Sequence, residues 1–180
     1  MPNFAITNST AIGGGATQQA MATTYKSLIS FGNSSATPST LGGGLYKRGK
    51  LYDILVGTNG TPADNYMEFD VTRATIGTTP AGVTLGISSL SSNFSIDPAD
   101  NGNAINWIAI NSTTETGITP TTEMWYVGVN QRASYRWISA PGSELVWPAV
   151  SSATASNGIA LRCRSGGYTG TATGSVLFNE

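Results

Sequence analysis

The chain has 180 residues, 10 acidic and 9 basic side chains, a net charge of −1, one cysteine and no histidine, which suits one domain with a real core. Charged residues make up 11%, less than half the roughly 25% of a usual soluble domain, so little long-range field is present to steer nucleic acid or an acidic membrane surface. Without histidine there is no imidazole-based triad, His-ligated metal or histidine pH switch. The lone Cys163 removes an internal disulfide and any Cys-rich metal site, leaving carboxylate chemistry alone.

In chain order, Met1 to Thr23 carries little periodic pattern and contains Gly13-Gly14-Gly15, so residues 1–23 are expected to form a flexible arm unable to offset its own ordering entropy. Its opening, MPNFAITNSTAIGGG, has no basic n-region and no unbroken apolar run, features of neither a signal peptide nor a membrane span. ATQQAMATTY supplies a weak helical signal. From Thr24 the chain turns strand-like: TYKSLISF, GLYKRGKLYDILVG and NYMEFDVTRATI mix β-branched and aromatic residues and end in turn formers. In the third run Met67, Phe69 and Val71 alternate with Glu68, Asp70 and Thr72, predicting one dry and one wet face.

VTLGISSLSS and NFSIDPADNGN read as loops around one short strand, AINWIAINS as a strand, and GITPTTE as a loop before the strand MWYVGV. ASYRWISA, ELVWPA, GIALRCRS and TGSVLF follow, separated by Pro-Gly, Asn-Gly and Gly-Gly. Nine or ten short strands at this spacing predict an all-β fold over 24–180, an antiparallel two-sheet sandwich, jelly-roll-like, with an extended N-terminal arm. Alternation places Tyr135, Trp137 and Cys163 inward and Arg136, Arg162 and Arg164 outward.

Chemistry-bearing positions are few. Glu68 and Asp70, two apart on a strand, share a face at roughly 7 Å, not far from the span of a glycoside hydrolase pair. Two carboxylates on the polar face of a half-exposed strand are nevertheless ordinary, and solvation or ion pairing, with Lys47, Arg48, Lys50 or Arg73 as partners, is the preferred reading. Asp97, Asp100, Asn101 and Asn103 are oxygen ligands of the type calcium takes. They miss the EF-hand spacing, and Asx-turns explain the stretch without metal, so neither metal nor cofactor is expected. Trp125 and Tyr126 must point to opposite faces of their strand, and Trp147, followed by Pro148, is expected at a strand end as an exposed contact residue.

One resemblance is carried by the order of several pieces: ATQQ at Ala16 to Gln19, TYKSL at Thr24 to Leu28, RGKLYDILVGTNGTPADNYMEFDVTR at Arg48 to Arg73, NQRASYRWISAPGSEL at Asn130 to Leu145, then NGIALR and YTGTATGSVLF. In that order the chain resembles the head decoration, or cement, proteins of tailed bacteriophages, over a little more than half its length and outside Gly77 to Glu123. The resemblance implies a β-sandwich virion subunit, not an enzyme, bound to the major capsid protein on the capsid exterior. It also implies self-association, as a homotrimer. Expected contact residues are Phe4, Ile6, Gln18 and Gln19 of the arm, with Trp125, Arg136, Trp147, Arg162 and Arg164; no nucleic acid or membrane is expected as partner. The alternative is a carbohydrate-binding or adhesin module of a tail or surface structure, marked by an exposed aromatic pair beside Asp, Asn or Arg.

Overall fold

The computed structural model describes residues 3–8, 18–33, 49–60, 64–76, 83–85, 107–112, 115, 117–147, 157–168 and 170–179. Among them are twelve strands and no helix: β1 (Asn3–Thr7), β2 (Gln19–Ala20), β3 (Lys26–Asn33), β4 (Gly49–Asn59), β5 (Tyr66–Ile76), β6 (Val83–Leu85), β7 (Trp107–Ile110), β8 (Ile118–Asn130), β9 (Tyr135–Ile138), β10 (Leu145–Trp147), β11 (Asn157–Arg164) and β12 (Thr171–Asn179). They form two antiparallel sheets that pack as a β-sandwich.

Sheet I runs β1-β12-β4-β10, with β2 also on β12 and β9 also on β4; sheet II runs β6-β7-β3-β11-β5-β8. The clearest cause is the period of two along β12, where Ala172, Gly174, Val176 and Phe178 are buried and the residues between them are half-exposed. β11 is buried continuously from Gly158 to Leu161 and alternates only at its end, where Leu161 and Cys163 turn toward the core, as their alternation with Arg162 and Arg164 predicts. Burial also pushes the Cys163 thiol well above its ordinary range, so it behaves as a small apolar side chain.

An aromatic group anchors the core. Phe31 of sheet II lies 4.9 Å from Phe178 and 5.2 Å from Trp147, both of sheet I, and Phe4 stacks on Phe178 at 5.3 Å. Offset and edge-to-face contacts of this kind add about 0.5–1.5 kcal/mol each beyond area burial. Trp147 is fully buried, which corrects its expected role as an exposed contact: its strand pairs with the first residues of β4, and the indole turns inward against Phe31 and Phe178.

Opposite Trp147 stands Gly49, where a Cβ would collide with Cζ2 and Cη2 of the six-membered ring of the indole. Gly49→Ala is therefore expected to destabilise the domain by about 1–3 kcal/mol through overpacking, read as a lower urea midpoint with an unchanged slope. An unaltered midpoint would show that the indole has room to move aside.

The N-terminal expectation is corrected too. Asn3–Thr7 pairs along its length with Ser175 to Asn179, and Phe4 and Ile6 are buried; a five-residue strand with two inward apolar side chains and a complete ladder gains more than an arm can. Gln19–Ala20 pairs with Thr171 and Ala172 as β2 instead of starting a helix, and residues 9–17 lie outside the described ones. β8 begins at Ile118, so Thr119 to Glu123, expected as loop, are strand. Pro120 is tolerated because β8 is the edge of sheet II and the register slips between Arg73 and Ala74 beside it.

Asn8 and Asn111 close one end of the sandwich. The Asn8 amide donates to Asn111 Oδ1 at 2.9 Å and to the Ala172 carbonyl at 3.1 Å, and its oxygen accepts the Gly174 N–H at 2.7 Å. Asn111 donates back to the Asn8 carbonyl at 3.0 Å from a left-handed φ of 52°, a conformation asparagine takes more readily than most residues.

Candidate functional site

The outer face of sheet II concentrates the chain's polar chemistry. Antiparallel pairing sets Arg162 opposite Asp70 and Arg164 opposite Glu68, on the side away from Leu161, Cys163, Phe69 and Val71. Arg162 grips Asp70 with two parallel bonds, Nε to Oδ1 at 2.9 Å and Nη2 to Oδ2 at 2.5 Å. The Asp70 side chain is 0% exposed and that of Arg162 13%. Arg164 binds Glu68 Oε2 through Nε at 2.7 Å and Nη2 at 2.6 Å, with 42% and 19% of the two side chains exposed. Opposite charges directly across a ladder are the favourable cross-strand arrangement, and the fork geometry suits arginine with a carboxylate.

Tyr25 joins the two pairs. Both guanidinium carbons lie over its ring, at 4.4 Å for Arg162 and 4.6 Å for Arg164, a cation–π geometry, and its hydroxyl donates to Glu68 Oε2 at 3.2 Å. Its phenol is pushed up to about 12, first by burial and then by the Asp70 charge, with Arg164 opposing. Burial likewise raises the Asp70 carboxyl above the ordinary carboxylate range, with the hydrogen bond and charge of Arg162 opposing. On the neighbouring β3, Glu115 accepts the Ser27 N–H at 2.7 Å and its hydroxyl at 2.8 Å.

Toward the β8 edge the face becomes aromatic. Tyr126 stands opposite Asp70 and Gly128 opposite Glu68. Tyr66 and Tyr126 are 57% and 44% exposed, and their hydroxyls share a 2.7 Å hydrogen bond, which, ahead of burial and the Glu68 charge, pushes the Tyr126 phenol upward. A Cβ on Gly128 would collide with the outer end of the Tyr66 ring, so the phenol lies across the glycine against the sheet.

The outer face of sheet I is simpler. Arg136 holds Asp53 by Nε to Oδ1 at 3.1 Å and Nη2 to Oδ2 at 2.5 Å, and Leu55 and Ile138, 44% and 60% exposed, flank the pair in the β4–β9 register. Between the sheets at the β8–β9 corner, half-buried Trp125 meets Tyr135 at 6.1 Å and Trp137 at 6.4 Å.

The predicted site residues are thus dispersed. Phe4, Ile6 and Trp147 are core and have no surface to offer a partner. Gln18 is half-buried and accepts the Thr171 hydroxyl at 2.6 Å; Gln19 is buried, its amide donating to the Ala20 carbonyl at 2.9 Å. Trp125 is half-buried in the corner. Arg136 is outward as predicted but on sheet I, opposite Arg162 and Arg164 of sheet II. Arg162 is largely consumed by Asp70, and Arg164 stays in part accessible.

Glu68 and Asp70 are ion-paired, with the arginines of β11 in place of the lysines and arginines nearby in sequence; Arg73 instead donates to the Val146 carbonyl at 3.0 Å. The wet face predicted for β5 is dry at Asp70 and Thr72, which are 0% and 2% exposed. Asp97, Asp100, Asn101 and Asn103 lie outside the described residues, and among the described residues no group of three or more His, Cys, Asp or Glu could hold a metal. Sequence reasoning passed over Tyr25, Tyr66, Leu55 and Ile138. Tyr66 was legible, since it shares the period-two face of Glu68 and Asp70.

A glycoside hydrolase of the two-carboxylate kind needs one carboxyl free to give a proton and a second free to attack or to activate water. Here both acids accept from guanidinium forks, and the face offers aromatic rings and balanced charge. Neither a protein family, nor a curated protein, nor a solved structure matches the chain.

Proposed function

We propose that this protein is a structural subunit of a phage virion that binds the outside of the capsid and stabilises it. The observation that carries the proposal is the outer face of sheet I, where Leu55 and Ile138 stand exposed on either side of the neutralised Arg136–Asp53 pair. Apolar side chains around a satisfied ion pair are what a protein–protein contact buries. The resemblance of the motif order to that of cement proteins is what points this contact toward the major capsid protein. Burying this face across a junction between capsomers adds free energy only to the closed shell, as any ligand selective for one state does, and trimerisation raises the effective concentration of the second and third contacts.

The test is rebinding to stripped capsids. Purified protein at saturation is expected to raise the temperature at which the particles release DNA, and Ile138→Asp and Leu55→Asp are expected to weaken rebinding by about tenfold or more, the effect of losing a central contact. Both side chains are exposed, so the variants should melt as the parent does. No shift in the release temperature would falsify the proposal.

A further inference from the structure

We propose that the outer face of sheet II is a shallow binding surface for a neutral pyranose glycan, with Tyr66 and Tyr126 as stacking platform and Glu68 and Arg164 as hydroxyl partners. A pyranose ring presents an apolar C–H face and a rim of hydroxyls that both donate and accept, so its receptor needs a flat apolar surface with an acceptor and a donor beside it. The Tyr66 ring is laid against the sheet by the missing side chain of Gly128, and the residue as a whole stays 57% exposed. Its hydrogen bond to Tyr126 couples the two rings before any ligand arrives, which lowers the entropy lost on binding.

The polar partners follow from the pairing. Glu68 stands opposite Gly128 on one side and Arg164 on the other, so rings, acceptor and donor occupy three adjacent strands, roughly 10 Å across at about 4.8 Å per strand. Every hydrogen bond to the Glu68 carboxylate enters at Oε2, leaving Oε1 as an acceptor without a protein partner among the described residues. Arg164 uses Nε and Nη2 on Glu68, and its Nη1 donors are likewise unspent there.

Charge decides the class. Arg162 cancels Asp70 and Arg164 cancels Glu68, so the face has no surplus positive charge for a sialylated or sulfated sugar, and a neutral glycan fits. The face lies on the opposite side of the sandwich from Leu55 and Ile138, so the inference does not depend on shell binding. On a particle coated through sheet I it would point outward.

The experiment uses the full chain on a printed panel of neutral, sialylated and sulfated oligosaccharides, with retained sugars titrated in solution as free oligosaccharides. Retention of neutral sugars is expected. Tyr66→Ala and Tyr126→Ala should weaken it by about tenfold or more at an unchanged melting temperature, and Gly128→Ala, which lifts the Tyr66 ring, should act in the same direction. Tyr126→Phe, which keeps the ring and loses the hydroxyl, is the milder variant should an alanine variant fold poorly, and it should also weaken retention.

Retention of acidic sugars alone, of none, or equally by the parent and the ring variants would overturn the proposal. So would a change in sedimentation or in capsid rebinding on Tyr66→Ala with sugar retention intact, since the face would then be a protein interface. Ile138→Asp should leave sugar retention as it is, so this inference and shell binding fail separately.

Discussion

A chain lacking Met1 to Asn8 is expected to lose cooperative folding. The deletion takes out β1, with Phe4 and Ile6 fully buried, and a buried Phe or Ile contributes about 2–5 kcal/mol once the cavity left behind is included. It also strips the Asn8 side chain, whose oxygen accepts the Gly174 N–H and whose amide donates to the Ala172 carbonyl; a buried polar group so orphaned costs about 1–3 kcal/mol.

Together these losses reach the roughly 5–15 kcal/mol that is the whole stability of a typical domain. The check is a thermal melt followed by far- and near-ultraviolet circular dichroism. A cooperative transition within a few degrees of the parent would mean that these residues are the dispensable arm their sequence suggests. Phe4→Ala, which keeps the strand and removes one ring stacked on Phe178, should lose about 3–5 kcal/mol.

Arg162→Met is expected to cost about 3–5 kcal/mol near neutral pH, because it leaves the Asp70 carboxylate buried without its counter-charge. Its pH dependence identifies the cause. In the parent, burial holds the Asp70 carboxyl above its ordinary range and Arg162 pulls it back. A carboxyl raised in the folded state binds its proton more tightly there than in the unfolded chain. Its contribution to stability is therefore complete below the unfolded pKa and lost as pH rises through the folded one.

Without Arg162 the carboxyl rises further, so the penalty should be largest at about pH 7 and shrink toward about pH 4 as Asp70 takes up its proton. Urea unfolding at the two pH values measures this. A penalty that is the same at both would assign Arg162 a packing role only. Replacing both members, Asp70→Leu with Arg162→Met, should recover most of the loss, since an apolar pair of similar volume is often neutral or better.

Much of the framework was legible as alternation. The first half of β5 and the end of β11 carry side chains whose character switches every residue, and that period is local, set by the pleat; it placed Cys163 inward and Arg162 and Arg164 outward without any partner in view. It also put Glu68 and Asp70 on one face and Trp125 and Tyr126 on opposite faces. Position on a face did not reveal which face is covered. Trp147 reads as a strand end before a proline, yet Phe31 and Phe178 enclose it, and Phe31 lies 116 positions earlier.

The N-terminus failed for the same reason. NFAIT is too short to declare itself a strand, and it becomes one only because β12, some 170 positions later, offers a complete row of donors and acceptors. The candidate sugar face is likewise divided between local and distant causes. That Tyr66, Glu68 and Asp70 share a side follows from their spacing. That Arg162, Arg164 and Tyr25 meet them, and that Gly128 lets the Tyr66 ring lie flat, follows from pairing β11 and β8 on either side of β5 and β3 on the far side of β11.

Composition and the two-residue period by themselves determined an all-β chain, poor in charge and lacking histidine, together with the side of each regular strand on which a residue falls, because those depend on neighbours one or two positions away. The tertiary structure decided which acids are silenced, which aromatics are core and which lie open, because strand pairing and burial join residues separated by about a hundred positions or more, and no local pattern encodes the partner across the ladder.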